Sequence, residues 1–487
     1  MEARAPDCHQ TVIGPSPRAS PPRYLHPVSS DLVILGSGPA GVGAAYRAAL
    51  QGHRVTVVER GERPGGAAGS FEIAGVRVDF GSHRLHPSVD PEILAELSRL
   101  LGDELELRPR NGRIRLAGRW IAFPLSAPDL LRRLPPSFAL GAARDGALAW
   151  SRRPRADTFA EVLRAGLGPT MCERFYFPYA RKLWGLEPGE ISGEQARRRV
   201  SADSPLKVLR RVLAGGGGSG GRFWYPRRGY GSISERLADA AAAAGADLRF
   251  GVAAERVELR PGGVRVTLSD GARLEGRRLW STIPLTALAR MAEPAPPAGV
   301  LAGADSLAFR SMILVYLVLD ADRYTPYDAH YLPEAFTPVT RVSEPKNYRS
   351  GAEPEGRTVL CAEIPCAAGD EWWSADPAEL GELVCETLRQ AGLPRPRLAQ
   401  VEVRRLAHAY PVYRVGFEHA FAALDAWAER QPALLTFGRQ GLFVHDNTHH
   451  ALAMAWAAAD ALRPDGGFDA TAWAEARARF ACHVVED

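Results

Sequence analysis

One stretch, residues 31–66, limits the folds open to this chain more than any other. After Asp31 comes a short apolar run, Leu32-Val33-Ile34-Leu35, which predicts a buried strand. Gly36-Ser37-Gly38-Pro39-Ala40-Gly41 follows, then a small-residue helix pattern to Gln51, a break at Gly52, a second apolar strand over 55–58, and Glu59. Strand, glycine turn, helix, strand and an acid about 20 residues on make the βαβ fingerprint of a dinucleotide site. Gly36 allows the tight turn, Gly38 lets the backbone approach a pyrophosphate, and Gly41 brings helix and strand together. The helix N-terminus offers free N–H groups and the positive end of its dipole to phosphate. Glu59 is placed to accept hydrogen bonds from both ribose hydroxyls. Small residues also serve plain helix–strand packing, but strand, spacing and acid together point to a dinucleotide.

The choice of dinucleotide lies just downstream. Pro64-Gly65-Gly66 stands five residues after Glu59, ahead of a hairpin pattern over 71–79 and the run Phe80-Gly81-Ser82-His83-Arg84-Leu85-His86. An acid, a short gap and a Gly-Gly pair resemble the FAD-binding superfamily of amine oxidases, protoporphyrinogen oxidases, phytoene desaturases and UDP-galactopyranose mutases. The G-x-H-x-x-H run is most similar to the mutases and the protoporphyrinogen-oxidase-like proteins. The resemblance implies FAD, with NAD as the rival that the Gly-Gly pair counts against. It implies an α/β fold: a Rossmann-type FAD-binding domain, a discontinuous α+β substrate domain and a helical insertion. It also implies cofactor contacts from Gly36, Gly38, Pro39, Ala40, Gly41, Glu59, Arg60, Gly65, Gly66, Ser82, His83 and Arg84, with His83 against the isoalloxazine.

A second motif lies near the other end. Leu434-Leu435-Thr436-Phe437-Gly438-Arg439 is followed by His445-Asp446-Asn447-Thr448-His449-His450 and an Ala-rich helix to Leu462. It resembles the C-terminal FAD motif of the same superfamily, in which a helix N-terminus points at the flavin. That adds Gly438, Arg439, Asn447, Thr448 and His449 to the implied contacts, and Ala254 near adenine. Here His445 stands where relatives carry Tyr, and His449 where they carry Asp.

Composition excludes several classes. A net charge of +4 over 116 charged side chains leaves no nucleic-acid footprint. The six cysteines form no CxxC pair and no metal-ligand spacing, so the sequence predicts neither a metal site nor a disulfide framework, and favours a reducing cytoplasm. No N-terminal secretory pattern and no apolar stretch of about 20 residues is present. A membrane span is not expected; peripheral contact stays open, and the oligomeric state is unknown.

Along the chain, residues 1–30 read as a disordered leader, and 31–90, 222–292 and 405–465 as the FAD-binding domain. Residues 91–221 read as a mostly helical cap, 293–404 as the substrate domain, and 466–487 as a terminal helix and tail. Within the cap, helices are expected over 92–101, 129–150 and 161–184, and a hairpin over 113–123. GGGGSGG at 215–221 matches GxGxxG mechanically, but lacks the strand and acid, and reads as a linker. Glu235 is spaced for a capping box at the helix from Ser232.

With no nucleophile or metal signature, chemistry is expected from the flavin, the protein orienting substrate and moving protons. His83, His449 and Arg439 are the candidate catalytic residues, the histidines because an imidazole near pKa 6.5 suits proton transfer. Tyr179, Lys182 and Trp184 are secondary candidates, and the runs at 197–199, 210–211 and 227–228 could attract an anionic substrate. The resemblance implies an FAD-dependent oxidoreductase passing hydride from a small molecule to flavin N5, with oxygen or another acceptor. The alternatives are a non-redox mutase acting on a nucleotide sugar, and a flavin-binding partner without turnover.

Overall fold

The computed structural model describes residues 28–125, 127–199 and 221–485. The expected leader up to residue 27, Arg210-Arg211 and all of the glycine run before Gly221 lie outside these residues.

The run at 32–35 is apolar throughout because both its faces are covered. Leu32 and Ile34 enter one core cluster, Val33 and Leu35 another. The strand Val28–Leu35 pairs in parallel with Val55–Val58 on one side and Arg273–Ser281 on the other. Asp247–Arg249 extends the sheet beyond 55–58. Gly263–Leu268 and Ala254–Arg260 form an antiparallel meander on 273–281, and Leu434–Thr436 joins the end of that strand in parallel. With Ala292–Glu293 at its edge this sheet has eight strands. The helix Pro39–Leu50 covers one face and packs against Thr448–Asp460 and Ser232–Ala243. A Cβ on Gly43 would come within 3.0 Å of both Leu452 and Trp456, so the absence of a side chain sets how near the helices lie.

A second sheet of seven strands is built around Phe309–Leu319, which lies antiparallel between Thr358–Cys366 and Leu398–Pro411. Arg341–Ser343, Ala329–Tyr331 and the hairpin Gly112–Leu116/Arg119–Phe123 complete it. That hairpin comes from the segment expected to be a helical cap, and the strand to Pro411 overruns the expected boundary at 404.

Local chemistry explains where helices differ from their periodicity. The pattern over 129–150 is cut at Pro135-Pro136 into Ala127–Arg133 and Pro136–Ala147. The pattern over 161–184 breaks at Gly168-Pro169, where Gly168 has φ +86°, and passes through one π turn, Cys172–Tyr176. The capping box at Glu235 does not form. Ser232 Oγ donates to the Arg228 carbonyl and Glu235 pairs with Arg77 at 2.5 Å, leaving Gly231 as an N-cap without a side-chain bond. Among the described residues no helix is long and apolar enough to cross a membrane.

Candidate active site

The glycine turn is folded tightly onto itself. A Cβ on Gly41 would sit 1.8 Å from the Gly36 carbonyl oxygen, whereas one on Gly38 would meet nothing nearer than the Gly65 oxygen at 4.0 Å. Gly65 N–H donates to the Ser37 carbonyl at 2.8 Å, which lays the Gly65-Gly66 pair against the same turn. The helix Pro39–Leu50 starts at Gly38 with no side-chain cap and no acid in its first turn. Uncapped N–H groups, a positive dipole end and an open backbone surface at Gly38 fit a pyrophosphate.

Glu59, at the end of the second strand, accepts from Ser37 N and Oγ at 2.8 and 3.0 Å on one oxygen, and from Gly61 N at 2.8 Å on the other. A carboxylate has about four acceptor positions, so three are committed to holding the turn. Arg60 is exposed beside it. Ala254 begins its strand opposite Leu268, and the preceding Val252 N–H bonds to the Glu59 carbonyl at 3.1 Å. From the far end of the chain, Gly438 (φ +79°) closes against the helix so tightly that a Cβ there would lie 2.9 Å from Ala40 Cβ. The two sequence motifs are thereby brought to one place.

Beyond the turn lies a cleft of about 1240 Å³, counted to its open mouth. Gly81 to Arg84 form its floor. Ser82 N–H donates to Glu363 at 2.9 Å, and Arg84 reaches Asp328 and the Tyr348 hydroxyl, each at 3.2 Å, with its guanidinium over the Tyr348 ring. Glu363 also pairs with Arg341 at 2.7 Å, so one carboxylate from the second sheet ties strand and floor together. Asp79, fully buried, accepts from Ser70 Oγ, Tyr225 OH and Tyr230 N–H at 2.6, 2.6 and 2.9 Å and fixes the hairpin that leads into the floor. The wall carries Arg84, Arg110, Arg199, Arg222, Arg341 and Arg439, against the single carboxylate of Glu363 among the described residues. Tyr179, Leu183, Met312, Leu314 and Tyr410 give it apolar surface.

The expected histidine face is divided by the structure. His83 lines the cleft with Arg439, Asn447 and Thr448; His445 and His449 do not line it. His445 is enclosed by Trp184, Tyr410 and Tyr413, and His449 lies against His86 and His450. Burial depresses all three imidazoles, His449 to about 3 and His445 well below its usual value, where Arg199 and Arg439 add to the effect. They are neutral near pH 7, in contrast to the imidazoles near pKa 6.5 expected from sequence at His83 and His449. His83 Nε2 lies 2.9 Å from the Phe80 carbonyl, which can only accept, so Nε2 carries the proton and Nδ1 keeps a lone pair. Arg439 lines the cleft, but its Nε also donates to the Asp446 carbonyl at 3.1 Å and braces the turn before Asn447.

Tyr179 faces the cleft, whereas Lys182 does not. Its ammonium donates to the carbonyls of Leu332, Glu334 and Val339 at 2.6, 2.6 and 3.1 Å, and Trp184 is core. Among the described residues of the arginine runs, only Arg199 lines the cleft; Arg197 and Arg198 pair with Asp157 and Glu194, and Arg227 with Glu106. Arg110, Arg222, Glu363 and Asp79 were not singled out by sequence reasoning. The available signal was a lone acid inside an apolar strand, at Glu363 in Thr358–Cys366.

A family model described as flavin containing amine oxidoreductase matches residues 39–462. A Mycobacterium tuberculosis protein carrying the name of a flavin-containing monoamine oxidase is 28% identical over 264 residues, which are 50% of this chain and 55% of that protein. The chain thus spans about half the length of this curated relative. Among solved structures, reduced UDP-galactopyranose mutase gives a TM-score of 0.77 at 21% identity, covering 94% of this chain and 100% of the other. An Exiguobacterium protein named as a protoporphyrinogen oxidase gives 0.67 at 19%, covering 93% and 98%. At these identities the structural likeness speaks for the fold.

Proposed function

Because the chain belongs to the flavin-containing amine oxidoreductase family, with FAD as its cofactor, we propose that it oxidises a small organic substrate bearing an anionic group, bound in the arginine-lined cleft beside His83. Bound FAD would supply the two-electron acceptor for this oxidation, with oxygen or a separate acceptor as the final oxidant. The observation that carries the substrate class is the charge of the wall. Arg84 and Arg341 are neutralised by Asp328 and Glu363, whereas Arg110, Arg199, Arg222 and Arg439 have no carboxylate within 4.0 Å among the described residues. Four uncompensated guanidinium groups facing one space favour a carboxylate or phosphate there.

The residues divide the work. Arg84 and Arg341, held by their ion pairs, keep the floor fixed; Arg110, bonded to the Tyr331 hydroxyl rather than to a carboxylate, and Arg199, over the Trp184 and Tyr410 rings, are placed to bind the anion. The apolar side chains Leu183, Met312 and Leu314 exclude water from the reacting end. His83 Nδ1, the unprotonated nitrogen, is the acceptor for a proton or hydrogen bond leaving the substrate.

An anaerobic screen of matched substrates tests this. Amines and alcohols bearing a carboxylate or phosphate should bleach the oxidised flavin, and neutral analogues should do so at least about tenfold more slowly. Equal rates for both sets would remove the anion from the proposal. A second reading, a non-redox mutase acting on a nucleotide sugar, is favoured by the fold likeness at TM-score 0.77 and by the same arginines, which suit a diphosphate. It requires product formation only after reduction with dithionite and no net oxidation of substrate.

A further inference from the structure

Behind the turn that carries Asn447 and Thr448, three side chains from separate parts of the chain meet. Asp446 is completely buried (side chain 0% exposed), and neither of its carboxylate oxygens has a hydrogen-bond partner. His450 Nδ1 lies 3.3 Å from Asp446 Oδ1, and His483 Nδ1, from just beyond the terminal helix Ala470–Phe480, lies 3.4 Å from the same oxygen. All three atoms fall within 4.8 Å of one another. His450 Nδ1 accepts the Asn447 N–H at 3.2 Å, so this nitrogen bears a lone pair and no proton. The His450 and His483 rings are stacked at 4.1 Å with 16° between their planes, a packing that two imidazolium rings would resist. The Asp446 carboxyl group is thus buried with no donor bonded to it, beside two imidazole nitrogens that face the same oxygen. An unpaired buried carboxylate is among the costliest groups a protein can hold.

We propose that Asp446, His450 and His483 bind one divalent transition-metal ion of the zinc type. The donor set, two imidazole nitrogens and one carboxylate oxygen, is one that zinc favours, with water completing the fourth position. Bonds of about 2.0–2.2 Å at tetrahedral angles put ligand atoms roughly 3.4 Å apart, which matches the two separations from Asp446 Oδ1. Imidazole lone pairs lie in the ring planes, so His483, on the terminal segment, turns out of its stack on His450 to meet the ion. Coordination at His450 Nδ1 exchanges the bond from Asn447 for the metal. The partly exposed His450 and His483 side chains, 11% and 18%, give the ion a way in. The ion neutralises Asp446 and fastens the segment after the terminal helix to the turn that opens the helix Thr448–Asp460. The site is invisible to spacing rules because its two histidines lie 33 positions apart.

Calorimetric titration of the full-length, FAD-loaded protein, stripped with EDTA, tests the site with Zn²⁺, using Mg²⁺ as a control. One Zn²⁺ per chain should bind with a Kd of about 1 μM or tighter, and Mg²⁺ should not. His483→Ala should weaken Zn²⁺ at least about 100-fold while FAD content and circular dichroism stay as in the wild type. Zn²⁺ should raise the melting temperature of the wild type but not of this variant. Asp446→Asn should lose Zn²⁺ as well; because it lies in the flavin-side turn, His483→Ala remains decisive if Asp446→Asn fails to fold. No Zn²⁺ uptake at about 100 μM, or a loss below about tenfold in His483→Ala, overturns the site.

Discussion

Two alanine substitutions three residues apart in the glycine turn should separate the fold from the cofactor. At Gly41 a Cβ would stand 1.8 Å from the Gly36 carbonyl oxygen and 2.9 Å from its carbon, both backbone atoms that have no rotamer to yield. Relief requires the strand and helix to part by more than 1 Å (order of magnitude), and overpacking of this kind costs about 1–3 kcal/mol or more. Gly41→Ala should therefore lower the melting temperature of the apoprotein and its FAD content together. Gly38 has φ −63° and ψ 176°, a conformation open to alanine, and its Cβ would have 4.0 Å of clearance to the Gly65 oxygen. Alanine there gains about 0.4–1 kcal/mol by restricting the unfolded chain and loses a similar amount as a poorer N-cap, so apoprotein stability should change by less than about 1 kcal/mol. The methyl group instead occupies the space through which the pyrophosphate approaches the backbone. A loss of at least about 100-fold in FAD affinity, or about 2.7 kcal/mol, is expected. Thermal melts of deflavinated protein and fluorescence titration with FAD measure the two effects. A Gly38→Ala protein that binds FAD as tightly as the wild type would show that the pyrophosphate does not lie on Gly38, and would refute the reasoning.

Three other substitutions test separate parts of the site. Glu59→Ala removes the acceptor for Ser37 N, Ser37 Oγ and Gly61 N as well as for ribose; it should cost about 1.5–3 kcal/mol in apoprotein stability and also weaken FAD, and a pure affinity loss would mean the turn holds itself. His330 is buried, and desolvation, then Arg113, pull its pKa to about 3. The unfolded chain, near 6.5, therefore binds more protons between these values, and stability falls with acidification by about 1.4 kcal/mol per pH unit. Between pH 7 and pH 5.5 the wild type should lose about 1.2 kcal/mol more than His330→Gln in urea denaturation; equal losses would show an imidazole that titrates normally. His83→Ala should keep its FAD and slow turnover by about 100-fold, and turnover at the wild-type rate would take His83 out of the chemistry.

The parts of the molecule legible in the sequence are those where local pattern and tertiary role coincide. The strand 32–35 is buried on both faces, so its apolar run could be recognised without knowing its neighbours. The turn 36–41 depends on atoms within six residues. The cleft is another matter: Arg110, Arg199, Arg222 and Arg341 come from different elements, and nothing local distinguishes Arg199 from the paired Arg197 and Arg198. Proximity to a flavin-side motif also misled at His445 and His449, because the turn that carries them points their rings into aromatic and histidine neighbours rather than into the cleft. The failed capping box at Glu235 has the same origin, since Arg77, 158 residues away, competes for the carboxylate.

The pairing of 28–35 with 273–281 bears on how the chain is made. One edge of the central strand is satisfied almost at once by 55–58, but the other has to wait for roughly 240 more residues to leave the ribosome. At about 5–20 residues per second that is some 10–50 s, during which an apolar strand edge stands unpaired. The closure of Gly438 on Ala40 comes later still. Nascent chains halted between these points should therefore depend on chaperones and resist FAD loading, and slowing translation past residue 281 should do less harm to the yield of yellow protein than slowing it before.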